Sequence, residues 1–185
     1  MAQARRLLLA NLCVALAYAA TGWLGLQVPF AGEAVTLIWP PTGIAFAALW
    51  RGGPRLLPGI FAGAAGLNLL MFHNPIFSLL VGMGNCLPAL AAWACLSRVR
   101  PDRPLFDGTG GLVAFLTVPV LLTPVLSATV GVLAALAGGA DLGEGVVSAW
   151  ISWWVGDAMG VLLVAPPLIL MAAPGATALL RRRWV

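Results

Sequence analysis

One carboxylate, Asp157, sits inside an otherwise apolar stretch, Trp150-Ile-Ser-Trp-Trp-Val-Gly-Asp-Ala-Met-Gly160. A charge at the centre of a helix in hydrocarbon costs on the order of 3 kcal/mol to insert, so such a residue needs a partner or a task. Gly156 and Gly160 flank it at the four-residue spacing that lets helix backbones approach, which turns Asp157 toward neighbouring helices and away from lipid. Trp153 and Trp154, about one turn earlier, are candidate walls of a pocket. Two readings stay open: a ligand or proton site, or an acid that hydrogen-bonds a broken helix and locks a bundle.

The second notable run is Trp39-Pro40-Pro41-Thr42-Gly43. Proline lacks a backbone donor and clashes with a preceding helical turn, yet suits a helix's first turn. The pattern predicts a helix starting near Pro40, entered by Leu37–Trp39 in extended form. Its free N–H groups would present the positive end of a helix dipole to an acid or anion. Counting residues from the outer face places Thr42 roughly 12 Å deep, Asn68 roughly 6 Å, and Asn85 and Asp157 each roughly 15 Å. Ser127 and Thr129 fall in the same outer half. The shared depth suggests one polar pocket. Taken singly, each Asn or Thr reads as polar glue between helices.

Other chemistries find no residues. His73 is the only histidine, so a bis-histidine haem or multi-histidine metal site has no second ligand, and its position fits an interface residue. Cys13, Cys86 and Cys95 lie in apolar runs without a C-x-x-C pair and read as small packing residues. No phosphate-cradling glycine loop or catalytic triad is present, and the charged loops are too short to hold a nucleotide. The sequence predicts no enzyme activity and no cofactor.

The elements that must position these residues are membrane spans. The 185 residues are 61% hydrophobic and 9% charged, too little charge to cover a soluble domain. Apolar runs predict an all-α integral membrane fold in a single domain, 1–185, with about six transmembrane helices. The spans are about 7–26, 34–50, 56–71, 75–97, 112–137 and 146–173. The second is broken at Pro40-Pro41, leaving about 11 helical residues, roughly 16 Å and too short to span alone. Non-helical backbone at that depth survives only against protein or a wet cavity. Gly59, Gly63 and Gly66 permit close packing of the third span; Gly82, Gly84 and Pro88 would loosen the fourth. Pro119 and Pro124 would kink the fifth, and Pro166-Pro167 would bend the long sixth.

Charge sets the orientation. All ten basic residues are Arg, in four groups: Arg5 and Arg6; Arg51 and Arg55; Arg98, Arg100 and Arg103; Arg181, Arg182 and Arg183. Pairs of hydrophobic segments separate the groups, so out-and-back hairpins put every Arg on one side, the cytoplasmic side by the positive-inside rule, with both termini there. The opposite loops carry Glu33, Asp141 and Glu144 and no Arg. The net charge of +4 therefore speaks for a membrane, with lipid as the surrounding partner, and against nucleic acid. Arg5-Arg6, an apolar run and Ala17-Tyr18-Ala19 have the form of a signal peptide, but the run continues through Trp23 and Leu26, as a retained span does. Trp23 and Trp184 fit interface anchors.

Leu37-Ile-Trp-Pro-Pro-Thr-Gly-Ile-Ala-Phe-Ala-Ala-Leu49, with Leu57-Pro-Gly-Ile-Phe-Ala-Gly63 and Asn68, resembles the first half of a membrane-associated sensor domain of the first type (MASE, type one). Trp153-Trp-Val-Gly-Asp-Ala-Met-Gly-Val-Leu-Leu-Val-Ala-Pro166 resembles that family's other signature, and Gly84-Asn85 also fits. By position the resemblance picks out Trp39, Pro40, Pro41, Gly43, Asn68, Asn85, Trp153, Gly156, Asp157, Gly160 and Pro166. It implies a sensory module of the bacterial inner membrane, upstream of a histidine kinase, a diguanylate cyclase or a related cytoplasmic output domain. That means two-component or cyclic-di-GMP signalling, with an undefined small ligand. Family members commonly continue with further spans and an output domain. This sequence ends at Arg181-Arg-Arg-Trp-Val185, leaving a short stand-alone member and a fragment both open. The residues alone also admit a small-solute transport or substrate-binding subunit, which solute flux would separate from a sensor, and a partner-binding scaffold.

Overall fold

A backbone in lipid must satisfy its own polar groups, and an apolar chain without strand alternation does so as helices. The structure, a computed structural model, describes residues 1–27, 37–99, 104–139 and 145–171. Its helices are α1 (Ala2–Leu26), α2 (Pro40–Gly52), α3 (Leu57–Phe72), α4 (Pro75–Val99), α5 (Gly108–Phe115), α6 (Pro124–Ala137) and α7 (Val146–Met171). A 3-10 turn, Pro54–Leu56, leads into α3, and a π-helical stretch, Leu116–Leu122, joins α5 to α6. There is no strand among the described residues. The chain is an all-α integral membrane protein.

Five helical runs are long and apolar enough to cross a membrane: α1, Pro54–Phe72, α4, Gly108–Ala137 and α7. The remaining segment of the expected six is α2, and its 13 residues are too few. The long helices form an arc in which α1 packs on α3, α3 on α4, α4 on α6 and α6 on α7, while α2 lies inside against α1, α4 and α7. Ala45 and Leu49 of α2 join a core with Tyr18, Ile60, Ala64 and Ala89. Phe46 and Ala47 face another, with Leu96, Leu105, Phe115 and Val161. The outward faces keep large apolar side chains exposed, such as Leu8, Leu70, Ile76 and Val147, as lipid contact requires. The helix too short to cross is therefore the innermost one, which is where a broken span can exist.

The prolines behave in three ways. Pro40 and Pro41 open α2, where a missing N–H costs nothing, and Trp39 before them leaves the helical region (φ −109°, ψ 85°). In the fifth span a π-helical stretch replaces a simple kink. The Thr123 N–H reaches back five residues to the Val118 carbonyl (2.9 Å), and the Thr123 hydroxyl donates to the Pro119 carbonyl (3.5 Å), which Pro124 has no N–H to serve. Pro88 and the pair Pro166-Pro167 lie inside α4 and α7, and both helices continue through them.

Polar clamps set the helix contacts. The Asn11 side chain donates to the carbonyls of Leu7 (3.0 Å) and Arg55 (3.1 Å) and accepts from the Gly59 N–H (2.7 Å). A Cβ on Gly59 would stand 3.0 Å from the Asn11 Cα, so glycine is what lets α3 come this close to α1. Asn11→Ala removes both bonds to the α2–α3 side and should destabilise the protein by about 1–3 kcal/mol, measured as denaturant unfolding in detergent. At the other end of α3, His73 adopts the left-handed conformation (φ 55°) and Asn74 caps α4 through the Phe77 N–H (3.1 Å).

With α3 and α4 joined by this two-residue turn, Arg5, Arg6, Arg51, Arg55 and Arg98 fall at one end of the bundle. The expectations for Glu33, Asp141, Glu144, Arg100, Arg103, Arg181–Arg183 and Trp184 lie outside the described residues.

Candidate functional site

Three elements deliver side chains to Asp157. The α7 helix carries the acid itself, α2 brings Thr42 in its first turn, and α6 brings Ser127 in its first turn. The Thr42 hydroxyl donates to Oδ1 of Asp157 and the Ser127 hydroxyl donates to Oδ2. The carboxylate is fully buried, at 0% exposure, with Thr42 at 3% and Ser127 at 1%. Each oxygen of a buried acid thus has a donor, which is how such a group is accommodated away from water.

The backbone completes the junction. The Trp39 N–H, left over where the helix begins, donates to the Gly156 carbonyl (2.8 Å), and the Thr42 N–H turns back to the Trp39 carbonyl (3.2 Å). Extended chain at depth is therefore bonded to the residue next to Asp157. Glycine makes the approach possible on both sides. A Cβ on Gly160 would collide with the Trp39 carbonyl oxygen, and one on Gly43 would collide with the Gly160 carbonyl oxygen and stand 2.8 Å from the Val164 Cβ. On the α1 side, a Cβ on Gly22 would meet Pro41 and Trp39, each at 3.3 Å. Trp39 is thus held between α1 and α7.

The tryptophans of α7 pack along α6 and the π-helical stretch. Trp153 lies flat enough on Gly131 that a Cβ there would overlap its six-membered ring. The Trp154 indole N–H donates to the Leu121 carbonyl (2.9 Å). Trp150 donates to the Thr129 hydroxyl (3.1 Å), which itself donates to the Val125 carbonyl (2.7 Å) on an exposed face.

The structure joins Thr42, Ser127 and Asp157, with Trp39, Pro40, Pro41, Gly43, Gly156 and Gly160 forming the backbone contact beside them. It gives Asn68 and Asn85 a different setting. Both are buried, but each amide donates to the carbonyl four residues earlier in its own helix, Ala64 (2.9 Å) and Val81 (2.8 Å). Thr129 pairs with Trp150 and not with Asp157. Two further polar residues, Asn11 and Tyr18, stand within the first apolar run, and that position is their only signal in the sequence. Tyr18 is fully buried, and its hydroxyl has no hydrogen-bond partner among the described residues. No group of three potential metal ligands occurs among the described residues.

The profile of one protein family matches residues 9–185, and its description is MASE1. The chain belongs to the MASE1 family. MASE1 domains are membrane sensory domains, so the junction of Trp39–Gly43 with Gly156–Gly160 lies in a sensor. No curated protein and no solved structure matches the chain. In this MASE1 chain the two sequence signatures, distant along the polypeptide, are the two sides of one packed contact.

Proposed function

We propose that this MASE1 domain is the signal-input module of a cytoplasmic output, a histidine kinase or diguanylate cyclase, and that the Thr42–Asp157–Ser127 cluster is the element whose state the signal changes. The observation that supports it is the buried carboxylate whose two oxygens each accept a hydroxyl from a different helix, beside a helix break. Such a junction has two distinct arrangements available. With the bonds made, α2 and α6 are held to α7; with Asp157 engaged by a ligand or a proton, one or both are released and α7 is free to shift. In this reading the chain lies in the bacterial inner membrane with both termini cytoplasmic, the cluster sits in the outer half, and movement of α7 reaches the output through the arginine-rich C-terminal segment. The domain itself catalyses nothing.

A thermal-shift screen of the detergent-purified chain against small anions, sugars, amino acids and aromatic metabolites, run beside Asp157→Asn, tests the reading. A compound that stabilises the wild type and not the variant supports a ligand-responsive cluster. If no compound stabilises the wild type and the variant is merely less stable, Asp157 is structural glue and the sensory element lies elsewhere. Solute flux in proteoliposomes would instead move the assignment to transport, for which the sealed carboxylate offers no specific support.

A further inference from the structure

The opposite end of α2 holds a second feature. An open groove of about 820 Å³ runs between the first turns of α1 and the turn joining α2 to α3. Among the described residues Arg6, Arg51 and Arg55 line it and no acidic side chain does, and its wall is made by Leu7, Ala10 and Leu56. Asn11 holds the two sides together by bonding the Arg55 carbonyl and the Gly59 N–H, so the spacing of the arginines is set by the fold.

We infer that this groove binds the phosphodiester headgroup of an anionic phospholipid. The charge calls for an anion, and guanidinium groups offer the paired donors that phosphate oxygens accept. The apolar wall and the position of the groove select an amphiphile over a soluble anion. The groove opens at the end of α1, the span most exposed to lipid: 11% of its apolar stretch is buried, against 39–50% for the other four spans. Leu9 and Cys13, both exposed, follow Arg6 on the same side of the helix at i+3 and i+7, where acyl chains would lie. Basic pockets between helices at a membrane face bind lipid headgroups on these grounds. The inference does not depend on the Asp157 cluster. It does place a lipid at Arg51, in the last turn of the helix begun by Pro40, Pro41 and Thr42.

Native mass spectrometry of the full chain in detergent, titrated with phosphatidylglycerol or phosphatidylcholine, tests it. The expected result is tighter binding of phosphatidylglycerol, weakened about fivefold by Arg6→Gln and again by Arg55→Gln, with phosphatidylcholine binding unchanged. Arg98→Gln, at the same end but outside the groove, should leave both lipids unaffected. Equal affinity for the two lipids would overturn the inference, as would an equal loss in Arg98→Gln, which would mean a diffuse basic surface. Inorganic phosphate binding as tightly as phosphatidylglycerol would show a site for a free anion and would overturn the lipid assignment. If a glutamine variant fails to insert, Arg6→Lys and Arg55→Lys keep the orienting charge and should still reduce the preference between the lipids, because an ammonium lacks the fork. An unchanged preference in both would count against the site.

Discussion

Gly160→Ala should be among the most damaging single substitutions in this protein, destabilising it by about 3 kcal/mol. The new Cβ would collide with the Trp39 carbonyl oxygen, which is backbone and has no rotamer to move into. Relief requires α2 and α7 to separate, and separation pulls the Trp39 N–H away from the Gly156 carbonyl. The cost is then both overpacking and a backbone donor left without a partner inside the membrane domain. Gly66→Ala is the control, because a Cβ there meets nothing within 4 Å. Thermal unfolding of the two variants in the same detergent should show a large drop for the first and little change for the second. A similar, small shift in both would mean that the α2–α7 contact is looser than this geometry states.

Asp157→Ala is the second large effect, also about 3 kcal/mol, since it strips the acceptors from two buried hydroxyls and leaves a void between three helices. Ser127 can turn its one hydroxyl proton to the Pro124 carbonyl (3.0 Å), so Thr42 carries more of the loss. Asp157→Asn keeps the volume and one carbonyl acceptor and should cost about 1 kcal/mol. The difference between the two variants separates the hydrogen-bonding role from the charge. If Asn matches Asp in stability yet abolishes the response to a stabilising compound, the charge or its proton is the sensing element. If Ala is as stable as wild type, the cluster contributes nothing and the proposed site is wrong.

The residue patterns exposed the spans and the break because both rest on strong local physics. Apolar runs of membrane length and a Pro-Pro pair admit few alternatives, so the start of α2 at Pro40 and the entry through Trp39 follow from the sequence. Asp157 stood out because a lone acid in an apolar run is expensive. Its partners were less visible. Thr42, Asn68, Asn85, Ser127 and Thr129 are expected in one half of the membrane by residue count, yet among them only Thr42 and Ser127 reach Asp157. Depth fixes one coordinate of a residue; which way it faces around its helix depends on packing. The asparagines of α3 and α4 met their needs on their own backbones, an option open to any polar side chain in a helix. The π-helical stretch at Leu116–Leu122 was hidden for a related reason, since Pro119 and Pro124 signal an interruption without specifying whether the helix bends or widens.

The short inner helix also bears on how the protein is made. Thirteen residues are too few to leave the translocation channel as an independent span. The acid that receives Thr42 lies 115 residues further along the chain. While the ribosome is still building α3 to α6, the Trp39–Thr42 segment has no Gly156 carbonyl and no Asp157 to meet. The domain is therefore completed late, when α7 arrives and draws α2 into place. A chain halted before Val146 would contain every residue of α2 and its contacts with α1 and α4, and still lack the partners of its first turn.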